Sequence, residues 1–233
     1  MKENTCGTGE GCVEKSIDKC ELRARLIPWA REHPADFPWR KRISRFHALA
    51  VEILLQRTKA VQVVPVFHKF RKVFPTARDL ASSRIAAVRS VIRPLGLIWR
   101  AEFLKSLGGE IVKTGNRIPE TYEDLLVLPG VGPYAASAYL SLHRGIRRPI
   151  VDSNTVRLYC RMLGCSYDGE TRRKRWVYDI ADKTTPQVEF RAFNYALLDF
   201  TREVCKPKPE CARCPLTDIC LGFRGAYGTF LRK

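Results

Sequence analysis

The sequence contains no run of about 18 apolar residues, the length a helix needs to cross a bilayer, so no helix is expected to span a membrane. Its opening twenty residues, MKENTCGTGEGCVEKSIDKC, lack the apolar stretch of a secretion signal. This predicts a reducing intracellular location, cytoplasmic or nucleoid-associated, where thiols stay free. Strand-like alternation is scarce, no tandem repeat or low-complexity tract occurs, and the four His have no paired metal-ligand spacing. A solenoid and a histidine-built metal centre are therefore not expected. Acidic residues are also in deficit: 24 Asp+Glu face 41 Lys+Arg, a net charge of +17. Such an imbalance marks a protein that meets a polyanion, with nucleic acid ahead of an anionic membrane.

What remains is ordinary globular material. The 233 residues suffice for one large core or two modest ones, and the 14 Pro and 15 Gly are scattered rather than clustered. Apolar residues recur at three- and four-residue spacing through LRARLIPWAREH, FHALAVEILLQRTKAVQVVPVFHKFRKVF, ARDLASSRIAAVRSVI, WRAEFLKSLGGEIVKT, SNTVRLYCRML, TRRKRWVYDIADKT and RAFNYALLDFTREVC, which predicts an all-α fold with short Pro- and Gly-marked connections. Residues 1–20, polar and with almost no apolar face, are read as a flexible segment whose Cys6, Cys12 and Cys20 are unligated. Trp29, Trp39, Trp99 and Trp176 are read as core or joint residues.

Three stretches carry chemistry. In LLVLPGVGPYAASAYLSLH (125–143), a turn of Leu128, Pro129, Gly130, Val131 and Gly132 separates two apolar helices. Two Gly let the backbone approach a ligand closely, and the N–H groups that open the second helix suit a phosphate, so Gly130, Val131 and Gly132 are candidate DNA contacts; a plain αα-hairpin is the bland reading. Beyond it lies PIVDSNTVRL, where Asp152 reads first as a helix N-cap. Four of the nine Cys, Cys205, Cys211, Cys214 and Cys220, fall in the last thirty residues and suggest a metal or cluster site.

The order of hairpin, spacer, Val-Asp, helix and terminal cysteines resembles the helix-hairpin-helix (HhH-GPD) DNA glycosylases of the endonuclease III and adenine-DNA glycosylase superfamily, over roughly residues 27–220. The resemblance implies two helical lobes: a central bundle at about 42–147 carrying the hairpin, and a discontinuous lobe of 21–41 plus 148–233 carrying the cysteine loop. It makes Asp152 the catalytic carboxylate, able to stabilise positive charge that builds on the sugar as an N-glycosidic bond breaks. Members that also cut the strand carry a Lys six residues after the residue matching Leu128; here stands Tyr134, which forms no imine, so a monofunctional enzyme with Tyr134 in its pocket is implied. The segment AVEILLQRT resembles the family element in which a Glu contacts the extruded base and a Gln fills the vacated stack, assigning Glu52 to the pocket and Gln56 to the wedge. A solvent-exposed Glu on an amphipathic helix is the competing view of Glu52. Arg57 contacts either the flipped base or its orphaned partner.

The cysteines follow C-x5-C-x2-C-x5-C, with one C-x2-C pair rather than the two of a zinc knuckle; a [4Fe–4S] cluster is implied, zinc being the alternative, and the usual first gap of the family is six rather than five. Lys206 and Lys208 project from this loop as DNA contacts. Val151-Asp152-Ser153-Asn154 and the thirteen residues after Cys220, too few for a lesion-reading domain, favour the branch that removes thymine or uracil opposite guanine over the adenine branch. The implied partner is double-stranded DNA with a mismatched or damaged base, bound by a monomer.

Overall fold

The computed structural model of the protein describes residues 16–227. Cys6 and Cys12 lie outside them. Among the described residues the regular structure is helical throughout, and it gathers into two compact units, residues 36–146 and residues 16–35 with 147–227.

In the continuous unit the central element is α2 (Arg45–Leu55), started by Ser44, whose hydroxyl accepts the His47 N–H at 3.2 Å. Every residue from Phe46 to Leu54 is buried, so this helix is walled on all sides rather than amphipathic. The long apolar pattern beyond it breaks at residues 56–59 and resumes as α3 (Ala60–Val73); α4 (Ala77–Ser82) opens on a Thr76/Asp79 capping box and is followed by α5 (Ile85–Ile92) and α6 (Arg100–Lys113). Val63, Phe67 and Phe70 of α3 join Val88, Ile92, Leu104 and Leu107 in the core. Trp39 lies edge-on to Phe67, with ring centroids 5.7 Å apart, and is buried. Trp99 departs from the core reading: it is 46% exposed, edge-on to Phe103, because it sits on the turn that leads into α6. The unit ends with α7 (Tyr122–Leu126), α8 (Pro133–Ala138) and a π-helical turn, Tyr139–Arg144, closed by Gly145 at φ 71°.

In the other unit α1 (Lys19–Glu32) starts on Asp18, whose carboxylate accepts the N–H groups of Cys20 and Glu21 at 2.9 and 3.1 Å. Leu22, Leu26 and Trp29 on its buried face pack with α9 (Ser153–Leu163), α10 (Arg175–Thr184) and α11 (Phe190–Glu203), where Val156, Tyr159, Val177, Phe193, Leu197 and Phe200 complete the core. Burying side chains of this size supplies about 1.5–3 kcal/mol each, the main term holding the bundle. The chain then enters the cysteine loop and ends in α12 (Leu221–Tyr227), which lies against α9.

Candidate active site

The hairpin turn is built by two glycines with different duties. Gly130 adopts φ +77°, and a Cβ placed there would meet Phe103 Cβ at 2.9 Å, so both backbone and packing demand glycine. Gly132 is extended, and a Cβ there would meet nothing within 4 Å, which leaves its face open to an incoming backbone. Val131 differs from both: its N–H donates to the Leu128 carbonyl at 3.1 Å and its side chain is buried, so its part in the turn is closure. Pro133 follows at the first position of α8, where a missing N–H costs nothing. Tyr134 sits half-buried in the first turn of that helix.

The Gln56 amide donates to the Gly130 carbonyl at 2.8 Å, tying the α2 exit loop to the hairpin. Arg57, next in the chain, is exposed and held at φ 56°, a conformation that non-glycine residues adopt at some cost. What fixes this loop was not legible in the sequence. Arg100, with no exposed surface, donates through Nη1 to the carbonyls of Ile53 (3.3 Å), Leu54 (2.6 Å) and Gln56 (3.1 Å), and through Nη2 and Nε to those of Leu95, Gly96 and Leu97 at 3.3 to 3.5 Å. The last carbonyls of a helix lack partners and carry the negative end of its dipole, so a buried cation is stabilised there. One guanidinium thus joins two loops, each of which bears a non-glycine residue with left-handed backbone, Arg57 and Leu97 (φ 46°).

Glu52 is 1% exposed, so the solvated-face reading fails. Its Oε1 is hydrogen-bonded to His143 Nε2 at 2.9 Å, while Oε2 is buried with no hydrogen-bond partner among the described residues.

In the other unit Asp152 is an N-cap, as its residue type suggested, and more besides. Oδ1 accepts the N–H groups of Asn154 (3.0 Å) and Thr155 (2.7 Å), and the Thr155 hydroxyl accepts the Asp152 N–H at 2.9 Å, a complete capping box for α9. Oδ2 accepts the Asn154 amide at 2.8 Å. Asn154 is oriented in turn by Arg157, whose Nη1 donates to its Oδ1 at 2.9 Å, while the same guanidinium donates to the carbonyls of Cys205 (2.9 Å) and Thr201 (3.0 Å). A chain of hydrogen bonds therefore fixes the Asp152 carboxylate and ends on the backbone of the first loop cysteine.

The loop itself is stapled to α9 by Arg161, which donates to the Lys206 and Pro207 carbonyls at 2.6 and 2.8 Å, and to α1 by Arg25, which donates to the Pro215 carbonyl at 3.0 Å. The four thiols lie close enough together to feel one another's charge. Burial raises Cys211 and Cys220 and pushes Cys214 up to about 12, a shift that a bound cation would oppose by favouring thiolates. Arg161 and the Leu216 N–H each point at a sulfur, Cys205 and Cys214, at 3.4 Å, the kind of donor that stabilises thiolate ligands of a cluster. These features fit a cluster. Among the described residues no three metal-ligating side chains are grouped tightly enough to hold a single ion. Lys208 is exposed, whereas Lys206 is paired with Glu210.

Comparison with known proteins shows the family of this chain. The model of the HhH-GPD superfamily of base excision DNA repair proteins matches residues 50–178, more than half of the chain, from the middle of α2 through the hairpin to α10. A thymine-DNA glycosylase of Aeropyrum pernix is 40% identical over 209 residues, covering 86% of this chain and 93% of its own length. A thymine/uracil-DNA glycosylase of Pyrobaculum aerophilum is 34% identical over 220 residues, covering 91% and 96%. Among solved structures, that of a thermostable thymine-DNA glycosylase superposes with a TM-score of 0.83 at 30% identity, covering 89% of this chain and 97% of its own. The chain belongs to the HhH-GPD superfamily of base excision DNA repair proteins. No helix among the described residues is long and apolar enough to cross a membrane.

Proposed function

We propose that this protein is a monofunctional DNA glycosylase that removes thymine or uracil mispaired with guanine and leaves an abasic site. The observation that carries the reading is the Asp152 carboxylate, held by three hydrogen bonds at the start of α9, on a chain whose relatives are named thymine- and thymine/uracil-DNA glycosylases. The net charge of +17 draws the protein onto duplex DNA, and the open face of Gly132 with the following helix start binds a phosphate without reading sequence. A wobble pair costs less to open than a normal one, which favours extrusion of the mispaired base. Gln56, released from Gly130, fills the vacated stack; Arg57, already exposed on its strained turn, meets the orphaned partner; and Glu52 receives the extruded base.

Cleavage builds positive charge at the sugar C1′ and negative charge on the departing pyrimidine. Asp152 stabilises the first and orients the attacking water, and hydrogen bonds to the base carbonyls stabilise the second. Tyr134 lines the pocket and offers no amine, so the sugar is not held as an imine. The four cysteines would hold an iron–sulfur cluster, with Lys208 exposed on the same loop as a basic contact for DNA, and the residues of this chain carry out the bond cleavage. The protein works as a monomer inside the cell, where its DNA is found.

A T·G duplex labelled on the thymine strand tests the absence of lyase chemistry. The expected result is thymine release with strand breakage only after alkali, and no covalent complex on addition of borohydride. A borohydride-trapped complex, or breakage without alkali, contradicts it.

A further inference from the structure

The hydrogen bond from His143 to Glu52 is used by no step above. It joins α2 to the π-helical turn Tyr139–Arg144 across 91 residues of sequence, with side chains only 1% and 6% exposed. π turns are rare, and they concentrate at functional sites. The hydrogen bond occupies one carboxylate oxygen, Oε1, and leaves Oε2 buried without a partner. A buried polar atom without a partner is unfavourable in the isolated protein, and a ligand that brings a donor relieves it.

We propose that His143 is a specificity-determining residue: by donating its Nε2 proton to Oε1 it holds Glu52 as an acceptor, so that Oε2 takes the imide N3–H of an extruded thymine or uracil and has no proton to give to adenine. The imide N–H lies between the two carbonyls of the pyrimidine, so one acceptor facing it reads the edge that distinguishes thymine and uracil from cytosine, whose N3 is an acceptor. Adenine presents ring nitrogens that are acceptors, and its release needs a proton delivered to one of them. A carboxylate already bonded to a histidine N–H faces those nitrogens as acceptor against acceptor. With His143 removed, Oε1 loses the hydrogen bond that fixes Glu52 as an acceptor, and a carboxyl free to carry a proton can serve adenine as a donor rather than thymine as an acceptor. This inference rests on the assignment of Glu52 to the base pocket and adds what sets its hydrogen-bonding sense.

Single-turnover base release from U·G, T·G and A·G duplexes tests it on the wild-type protein, His143→Leu and His143→Gln. For His143→Leu the expected result is a fall of about 10- to 100-fold on U·G and a rise of at least about tenfold in the A·G to U·G ratio, the size of effect that loss or reversal of one buried hydrogen bond produces. His143→Gln restores a donor near the position of Nε2 and keeps the wild-type ratio within about fivefold. An A·G to U·G ratio unchanged in His143→Leu overturns the proposal. Nitrogen-15 spectra of the wild-type imidazole serve if the leucine variant does not fold: a proton on Nε2 supports the proposal, and a proton on Nδ1 with Nε2 accepting overturns it. A wild-type protein inactive on U·G and T·G removes the underlying reading itself, whereas an active wild type with an unchanged ratio removes only the role of His143.

Discussion

Replacing Asp152 by Asn lowers base release from T·G and U·G duplexes by about 10³-fold or more, while the protein still folds and still binds the same DNA. The size follows from the chemistry: an uncharged amide cannot balance the positive charge that builds on the sugar. Folding survives because Asn caps a helix about as well as Asp, so the N–H groups of Asn154 and Thr155 keep an acceptor. The substitution does set an amide against the Asn154 amide where Oδ2 now accepts, an error of about 1 kcal/mol that leaves the helix start intact. Single-turnover release and a binding titration measured together check the result. Unchanged release in Asp152→Asn removes the central catalytic assignment, and loss of binding together with loss of structure shows that the cap was its main role.

Arg100→Met has the largest expected effect on stability. Six carbonyls that now share one guanidinium are left without that donor, and the bonds to Ile53, Leu54 and Leu95 are buried. Breaking a buried charged hydrogen-bond network of this kind costs about 3–5 kcal/mol. A domain of this size then melts roughly 10 °C lower. Lys in the same place reaches only some of the six acceptors and falls between. Because the clamp spans residues 53–56 and 95–97, amide exchange should accelerate in these two loops beyond the rest of the unit, and excision should fall as Gln56 and Arg57 lose their fixed positions. A melting temperature within about 2 °C of wild type shows that the carbonyls find water or other donors and that the clamp is dispensable.

The helices and the hairpin could be read in the sequence because both are local. Apolar residues at three- and four-residue spacing between Pro- and Gly-marked turns give the helices, and Leu-Pro-Gly-Val-Gly has few conformations open to it. The capping role of Asp152 was equally legible, since Asp before a helix start has one dominant use. The pairings made across long separations were not. Nothing in AVEILLQRT says that Glu52 faces a histidine 91 residues away, and His143, without metal-ligand spacing, looked unremarkable. The π-helical turn that carries it has no compositional signal, since an i to i+5 bond is decided by what the turn packs against. Arg100 was hidden for a related reason. A charged residue at the start of an amphipathic helix is ordinarily solvated, and only the convergence of two sets of helix-end and turn carbonyls turns it into a buried clamp. Val131 shows the opposite limit: its place in the turn was correct, but its N–H is taken up by the Leu128 carbonyl.

The most direct test of the account is single-turnover base release by the wild-type protein from duplexes that differ only in one pair: T·G, U·G, A·G and A opposite 8-oxoguanine. The expected result is release from T·G and U·G at least about tenfold faster than from either adenine duplex, as a pocket built around one polar contact allows. Faster release of adenine contradicts the assignment of Glu52 as an acceptor for a pyrimidine, and release from none of the four contradicts the glycosylase reading.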